Sequence, residues 1–223
     1  MIFLVNADNR SQFAADLAAM HRQRKIIFVD GAGWNVPVTG DREIDRYDCD
    51  ATVYLLAKNE PSGPILASVR LLPTERPHLM GELFPAVCLA AIPRGPTVWE
   101  ASRFCVAPGL RGGRRAHALI WETVCGVLET GLLYGIEEVI FAVNRALLRL
   151  VLHCGWEARS LGPRLGTGDQ EIAAAAATIT TAGLRCVRRL HRIPIPAMRL
   201  HALAPPPSAA LAADPSIPRR ARS

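Results

Sequence analysis

Lysine is almost missing from this 223-residue chain: Lys25 and Lys58 are the only two, so arginine carries the net charge of +6. A basic balance suits an anionic substrate, an acidic protein partner or nucleic acid, and by itself selects none of them. Nucleic-acid binding lacks its usual marks, since there is no zinc-finger spacing, no RNP-like aromatic string, and aromatics make up only 6% of residues. The six cysteines are scattered, without a C-x-x-C pair or a histidine at zinc-ligand spacing. No metal is therefore expected, and most thiols read as small buried hydrophobes. Long apolar runs are lacking as well: IAAAAATIT, after Glu171, falls far short of the roughly 20 residues that a membrane-crossing helix needs. The opening MIFLVNADNR has no basic segment ahead of an apolar one and no small-residue cleavage site, so the expected location is the cytoplasm.

Half of the residues are apolar, enough for one sizeable core in one domain. Phe13, Leu17 and Met20 recur at helical spacing behind a Ser11 cap, which predicts an amphipathic helix over 11–23. From Gly31 to Asp50 the composition turns to Gly, Pro, Asn and charge, and reads as a long functional loop. ATVYLLAK (51–58) and PILASVRLL (64–72) flank NEPSG as two antiparallel strands, followed by a proline-rich excursion over 73–96 with at most one short helical turn. TVWEASRFCV (97–106) predicts a central strand. Helices are expected over about 114–130, 145–153 and 182–191, with strands at EEVIFAV (137–143) and, less distinctly from a buried run, at EIAAAAATIT. The alternation of strands and helices predicts an α/β fold with a mixed sheet. The domain is expected to span 1–203. The Pro-, Ala- and Arg-rich 204–223 reads as a disordered tail.

The chemistry-bearing residues concentrate between 24 and 103. Glu43, Asp45 and Asp48 place three carboxylates within six positions, interleaved with Arg42 and Arg46. Alone, that run reads as a solvated, self-paired surface. Beside it stand Phe28 and Trp34, and Arg24, Arg70 and Arg103 fall in or next to apolar elements, where an unpaired charge is costly. Buried arginines need carboxylates, and this run supplies them. Strict alternation along the central strand places Glu100, Ser102 and Phe104 on one face and Arg103 on the other unless a bulge intervenes, so Glu100 and Arg103 are expected in different surroundings. Taken singly, Arg70 reads as a snorkelling strand residue and Glu100 with Arg103 as a structural ion pair. Together the set suits a polar site for a zwitterionic, cationic small molecule.

Read in order, R-x-x-x-F (Arg24 to Phe28), GW (Gly33, Trp34), GDREIDRYD (40–48), SVRLLPT (68–74) and WEASRF (99–104) resemble the LuxI-type acyl-homoserine-lactone synthases over about residues 20–106. The resemblance implies a fold like that of the GCN5-related N-acetyltransferases. It also implies an acyltransferase that joins an acyl thioester to S-adenosylmethionine, closes the lactone and releases methylthioadenosine as part of quorum-sensing signal production. S-adenosylmethionine is then a substrate, and no true cofactor is expected. The substrate amine must lose a proton before it attacks, so Glu43 and Glu100 are the candidate bases. Backbone N–H groups around Ser102 to Phe104 are the candidate oxyanion donors. Arg24, Phe28 and Trp34 are expected to line the S-adenosylmethionine cleft, and Asp45, Asp48, Arg70 and Arg103 to orient the loop and neutralise charge. Val143 stands where the family often carries a threonine associated with 3-oxo chains, which favours an acyl group without one.

The acyl donor is expected to be acyl carrier protein or acyl-coenzyme A. Arg111, Arg114, Arg115, Arg145, Arg149, Arg159 and Arg164 form a candidate basic docking face, and RGGRRA (111–116) resembles a degenerate pyrophosphate loop. The rival within the same fold is an acyl-coenzyme A-dependent N-acetyltransferase of another amine, which leaves the GW and GDREIDRYD strings unexplained. Outside enzymes, the rivals are a basic nucleic-acid-binding protein and an inactive member of the family that only binds.

Overall fold

In this computed structural model the described residues are 1–166, 171–193 and 196–199. The tail expected over 204–223 lies outside them. Ten strands and five α-helices follow in chain order: β1 (Ile2–Val5), α1 (Ala14–Arg24), β2 (Val38–Thr39), β3 (Arg42–Glu43), β4 (Val53–Ala57), β5 (Ala67–Pro73), α2 (Leu79–Leu83), β6 (Val98–Val106), α3 (Arg114–Tyr134), β7 (Glu138–Asn144), α4 (Arg145–Leu152), β8 (Ala158–Ser160), β9 (Ile172–Thr178), α5 (Thr181–His191) and β10 (Met198–Arg199). Eight strands form one sheet in the order β10-β1-β4-β5-β6-β7-β9-β8, with β2 and β3 paired as a separate ribbon. This is the mixed α/β sheet that the alternation predicts. Among the described residues no helix is long and apolar enough to cross a membrane.

Period-2 alternation sets the two faces. Ile2, Leu4, Val53, Leu55, Ala67, Val69 and Leu71 point to the main core, which α3 and α5 cover with Leu119, Val124, Leu128, Leu184 and Val187. Two glycines let α3 lie close. A Cβ at Gly126 would stand 3.0 Å from the Ile2 side chain, and one at Gly131 2.8 Å from that of Ile179. The opposite face carries Phe3, Val5, Tyr54 and Leu56, which pack on Phe13, Leu17 and Met20 of the α1 region. One strand further, at β5, this second face turns polar, with Ser68 and Arg70. That change of character is where the site begins.

Two irregularities open it. The parallel pair β6–β7 keeps register only from Val98–Glu138 to Glu100–Ile140, and beyond that the strands have no mutual pairing. The edge of β6 that faces β7 is thus left without a strand partner from Ala101 onward. Against β5, meanwhile, Ser68 faces Cys105 and Arg70 faces Ser102, so Arg103 and Phe104 together oppose the single Val69. Arg103 takes φ 54° to make this bulge, a conformation that costs a non-glycine residue about 1–3 kcal/mol. The expected segregation of Glu100 from Arg103 fails here: the bulge turns Arg103 to the polar face, where both arginines Arg70 and Arg103 act on Glu100.

Helix α1 ends at Arg24, one residue past the expected end, and is followed by wider π-type turns over Lys25–Gly31 that the spacing does not predict and that carry Phe28. Helix α3 reaches Tyr134, and the expected loop from 31 to 50 contains the short β2–β3 ribbon.

Candidate active site

Arg24 ends α1, Arg70 sits mid-β5 and Arg103 forms the β6 bulge; β3 brings Glu43 to them and the loop after it brings Asp45 and Asp48. Arg24 binds Glu43 through Nε, and its two terminal nitrogens donate to Asp48 at 2.8 and 2.9 Å. Arg70 donates to Asp48 at 2.9 Å and to both oxygens of Asp45 at 2.6 and 3.1 Å. Arg103 donates to Asp45 at 3.0 Å and to Glu43 at 3.0 and 3.1 Å. The six side chains close a ring of alternating charge in which every arginine bridges two carboxylates. Arg24 and Arg70 are 0% and 1% exposed and Glu43 is 0%, so the ring is part of the interior. Its net charge is zero, which makes that burial tolerable.

The ring fixes its own protonation. Burial works against the charge on Glu43 and Asp48, but the donors of Arg24, joined by Arg103 at Glu43 and Arg70 at Asp48, outweigh it and hold both carboxyls below their usual range. Arg24 is likewise held above its usual value: burial opposes the charge, and its bonds to Asp48 and Glu43 win. Tyr54 adds a hydroxyl donor to Asp48 at 2.8 Å, and the backbone N–H groups of Asp45 and Tyr47 donate to Asp48 and Asp45. His21 Nδ1 lies 2.9 Å from the Glu43 carbonyl oxygen, an obligate acceptor, so that nitrogen carries a proton. Burial, with Arg24 nearby, lowers the His21 pKa and keeps the ring neutral.

Beside the ring, where β6 and β7 part, lies a cavity of about 810 Å³. One side is aromatic and polar. Phe28 and Trp34 stack with centroids 4.8 Å apart, and the Arg103 guanidinium stands 5.6 and 5.9 Å from their centroids. Trp34 remains 42% exposed, an aromatic side chain open to solvent at the cavity wall. The other side is apolar, running between β6 and β7 against α3 past Val124 and Val127 to Phe141 and Trp156, which also stack. Thr123, on that wall, donates its hydroxyl to the Leu119 carbonyl of its own helix.

Between the two sides stands Glu100. Its Oε2 accepts the Met80 N–H at 3.0 Å, with the Leu79 N–H contributing, while its buried Oε1 has no partner. Burial pushes its pKa up to about 7; the α2 N–H groups, Arg70 and Arg103 pull back only part of the way. Among the described residues it is the one carboxylate on the β6 floor of the cavity, and it has a free oxygen.

The expected site residues thus divide into two groups. Phe28, Trp34, Glu100, Ser102, Arg103, Phe104 and Val143 line the cavity. Arg24, Glu43, Asp45, Asp48 and Arg70 lie behind it in the ring, and both oxygens of Glu43 are taken by arginine. Ser102 accepts from Arg70 Nε at 3.1 Å, tying ring to cavity. Of the expected basic face, Arg111 lines the cavity; Arg115, Arg159 and Arg164 instead pair with Glu122, Glu138 and Glu171. The Arg145 side chain lies outside the described set. Sequence reasoning missed the α2 backbone donors, Tyr54 and the α3 wall. The donors left no residue-type signal, whereas Tyr54, a polar tip in an apolar strand, was visible. Among the described residues no three His, Cys, Asp or Glu side chains are grouped to hold a metal.

The chain resembles known proteins in sequence and in fold. An acyl-homoserine-lactone synthase of Ralstonia solanacearum is 34% identical over 163 residues, 70% of this chain and 79% of the relative. The structure of BjaI, a coenzyme A-dependent acyl-homoserine lactone synthase with S-adenosylmethionine and isopentyl-coenzyme A, superposes with a TM-score of 0.80 at 28% identity, covering 90% of this chain and 93% of that one. An N-acetyltransferase described from Lactobacillus plantarum shares the fold alone, with a TM-score of 0.54 at 16% identity over 81% of this chain and 98% of that one. The sequence model of the autoinducer synthases matches residues 8–184, and the chain belongs to that family.

Proposed function

We propose that this protein is an acyl-homoserine-lactone synthase that transfers the acyl group of a thioester to the amine of S-adenosylmethionine and then releases methylthioadenosine. The observation that carries the reading is Glu100, a carboxylate with one free oxygen and a pKa near 7, set between an open aromatic stack and an apolar channel. Phe28 and Trp34 receive the adenine and sulfonium side of the substrate, where a cation gains from an aromatic face. Glu100 accepts the proton of the α-amine, which then attacks the thioester carbonyl. The unpaired β6 edge from Ala101 supplies backbone N–H groups for the carbonyl oxygen, and the departing thiolate takes up a proton. In the second step the substrate carboxylate attacks its own γ-carbon and expels the sulfonium as methylthioadenosine; the site contributes a folded-back substrate. Glu43, with both oxygens engaged, holds Arg24 and Arg103 in place and is not the base.

The acyl chain enters the apolar branch. Val143 offers no hydroxyl there and Thr123 has spent its own, which supports an acyl group without a 3-oxo function. The donor is a thioester of coenzyme A or acyl carrier protein, and the likeness to BjaI favours coenzyme A. Synthesis is placed in the cytoplasm, where both substrates are made. Chromatography of a reaction with S-adenosylmethionine and acyl thioesters tests the reading: free thiol and methylthioadenosine are expected in equal amounts. Thiol without methylthioadenosine identifies an N-acetyltransferase instead.

A further inference from the structure

Helix α2 has five residues, far fewer than an isolated helix needs, so its place depends on what grips it. Its placement matters, because its first N–H groups bind Glu100 Oε2 while Leu79 and Leu83, with Phe84 just beyond, form cavity wall. On one side Met80 packs with Val87 and Ile140. On the other side the grip is Tyr47. Its ring is buried with Leu72 and Leu79, and its hydroxyl donates to Glu82 Oε2 of α2 at 2.6 Å. Arg46 donates to the same oxygen at 2.5 Å. Tyr47 is also anchored to the ionic ring, through its N–H on Asp45 at 2.9 Å and the Arg70 guanidinium 5.6 Å from its ring centroid. One side chain thus couples the ring to the helix that touches the base.

We propose that the Tyr47–Glu82 hydrogen bond is the clip that holds α2 against Glu100, making Tyr47 and Glu82 positioning residues for the acyl-transfer step. The proposal rests on the reading of Glu100 as the base. The groups facing Glu100 are Arg70 from β5, Arg103 from its own strand and the α2 N–H groups; its β7 neighbour, Ile140, is apolar. His78, at the head of α2, turns Nδ1 to the Arg76 carbonyl at 3.0 Å. The arginines stay where they are when the clip is cut, so what is lost is donation from α2 to the carboxylate, and the Glu100 pKa then rises.

Two variants test this, Tyr47→Phe and the half-exposed Glu82→Ala, read by the pH profile of kcat and by carbon-13 NMR titration of the Glu100 carboxyl assigned through Glu100→Gln. The acid limb of kcat and the Glu100 titration should both move up by about one pH unit in each variant. Near pH 6 that is about a tenfold loss of kcat, recovered near pH 9, with the KM for S-adenosylmethionine little changed. The double variant should match Glu82→Ala, which already removes the Tyr47 bond together with the Arg46 pair. An unmoved Glu100 titration in folded Glu82→Ala overturns the clip. An active Glu100→Gln instead overturns the base, and the NMR shift still reports on the clip.

Discussion

Burial that raises Glu100 to about 7 also makes its ionised form costly to the fold. In the unfolded chain a glutamate ionises near 4.3, so between about 4.3 and 7 the folded state binds the extra proton and stability falls as pH rises. Well above pH 7 the cost approaches an upper bound of about 4 kcal/mol. Glu100→Gln should therefore be more stable than the parent at pH 8 by roughly 1–3 kcal/mol in denaturant titrations, with the gain fading toward pH 5. The same variant should lose about a hundredfold to ten-thousandfold in kcat, and in the parent kcat/KM should rise through about pH 7 as the base deprotonates. A Gln variant both less stable and active would contradict the assignment. Trp34 offers a second test at this scale, because it is the exposed partner of the Phe28 stack. S-adenosylmethionine should change tryptophan fluorescence, and Trp34→Phe should remove most of that change while leaving a stack able to bind.

The ring and the bulge belong to the scale of elements. Glu43 and Asp48 are held below the usual carboxylate range, the reverse of Glu100, so their contribution is present above about pH 4 and is lost as pH falls through their folded values. Asp48→Asn leaves Arg24 and Arg70 short of a partner and should cost about 3–5 kcal/mol, measured by urea unfolding at pH 7, with a smaller deficit in acid. Arg70→Ala should lose activity through the same collapse, since Arg70 lies behind the cavity in the ring. Much of this site was legible beforehand. Carboxylates interleaved with arginines beside apolar strands announce a buried ionic cluster, and period-2 alternation sorted the faces of β1, β4 and β5. The bulge at Arg103 was not legible, because it is a register shift against β5 that no residue type announces. The same holds for the pairing of Glu100 with α2, whose partners are backbone N–H groups. Nor did residue type distinguish the two candidate bases; the proposed choice of Glu100 rests on Glu43 having both oxygens engaged by arginine.

At the scale of the whole molecule, the chain closes on itself through β10, which lies parallel to β1. Glu129 of α3 staples it: one oxygen accepts from Arg188 of α5 at 2.6 Å and from the Ala197 N–H at 2.9 Å, and the other accepts the Met198 N–H at 2.6 Å. A domain ending near residue 203 keeps this staple. A chain stopped after Leu203 should retain activity and unfold within a degree or two of the full chain. One stopped after Ile193 should lose the edge strand, leave Glu129 short of donors and melt several degrees lower by calorimetry. Equal melting of the two truncations would show that β10 is dispensable.

Amine, thioester and sulfonium are proposed to react in a single cavity, the one beside Glu100. Mass spectrometry of the product formed from S-adenosylmethionine and a panel of coenzyme A and carrier-protein thioesters tests this most directly. An N-acyl-homoserine lactone without a 3-oxo group is expected from the parent and almost none from Glu100→Gln. No lactone from any donor, or undiminished lactone from the Gln variant, would contradict the proposal.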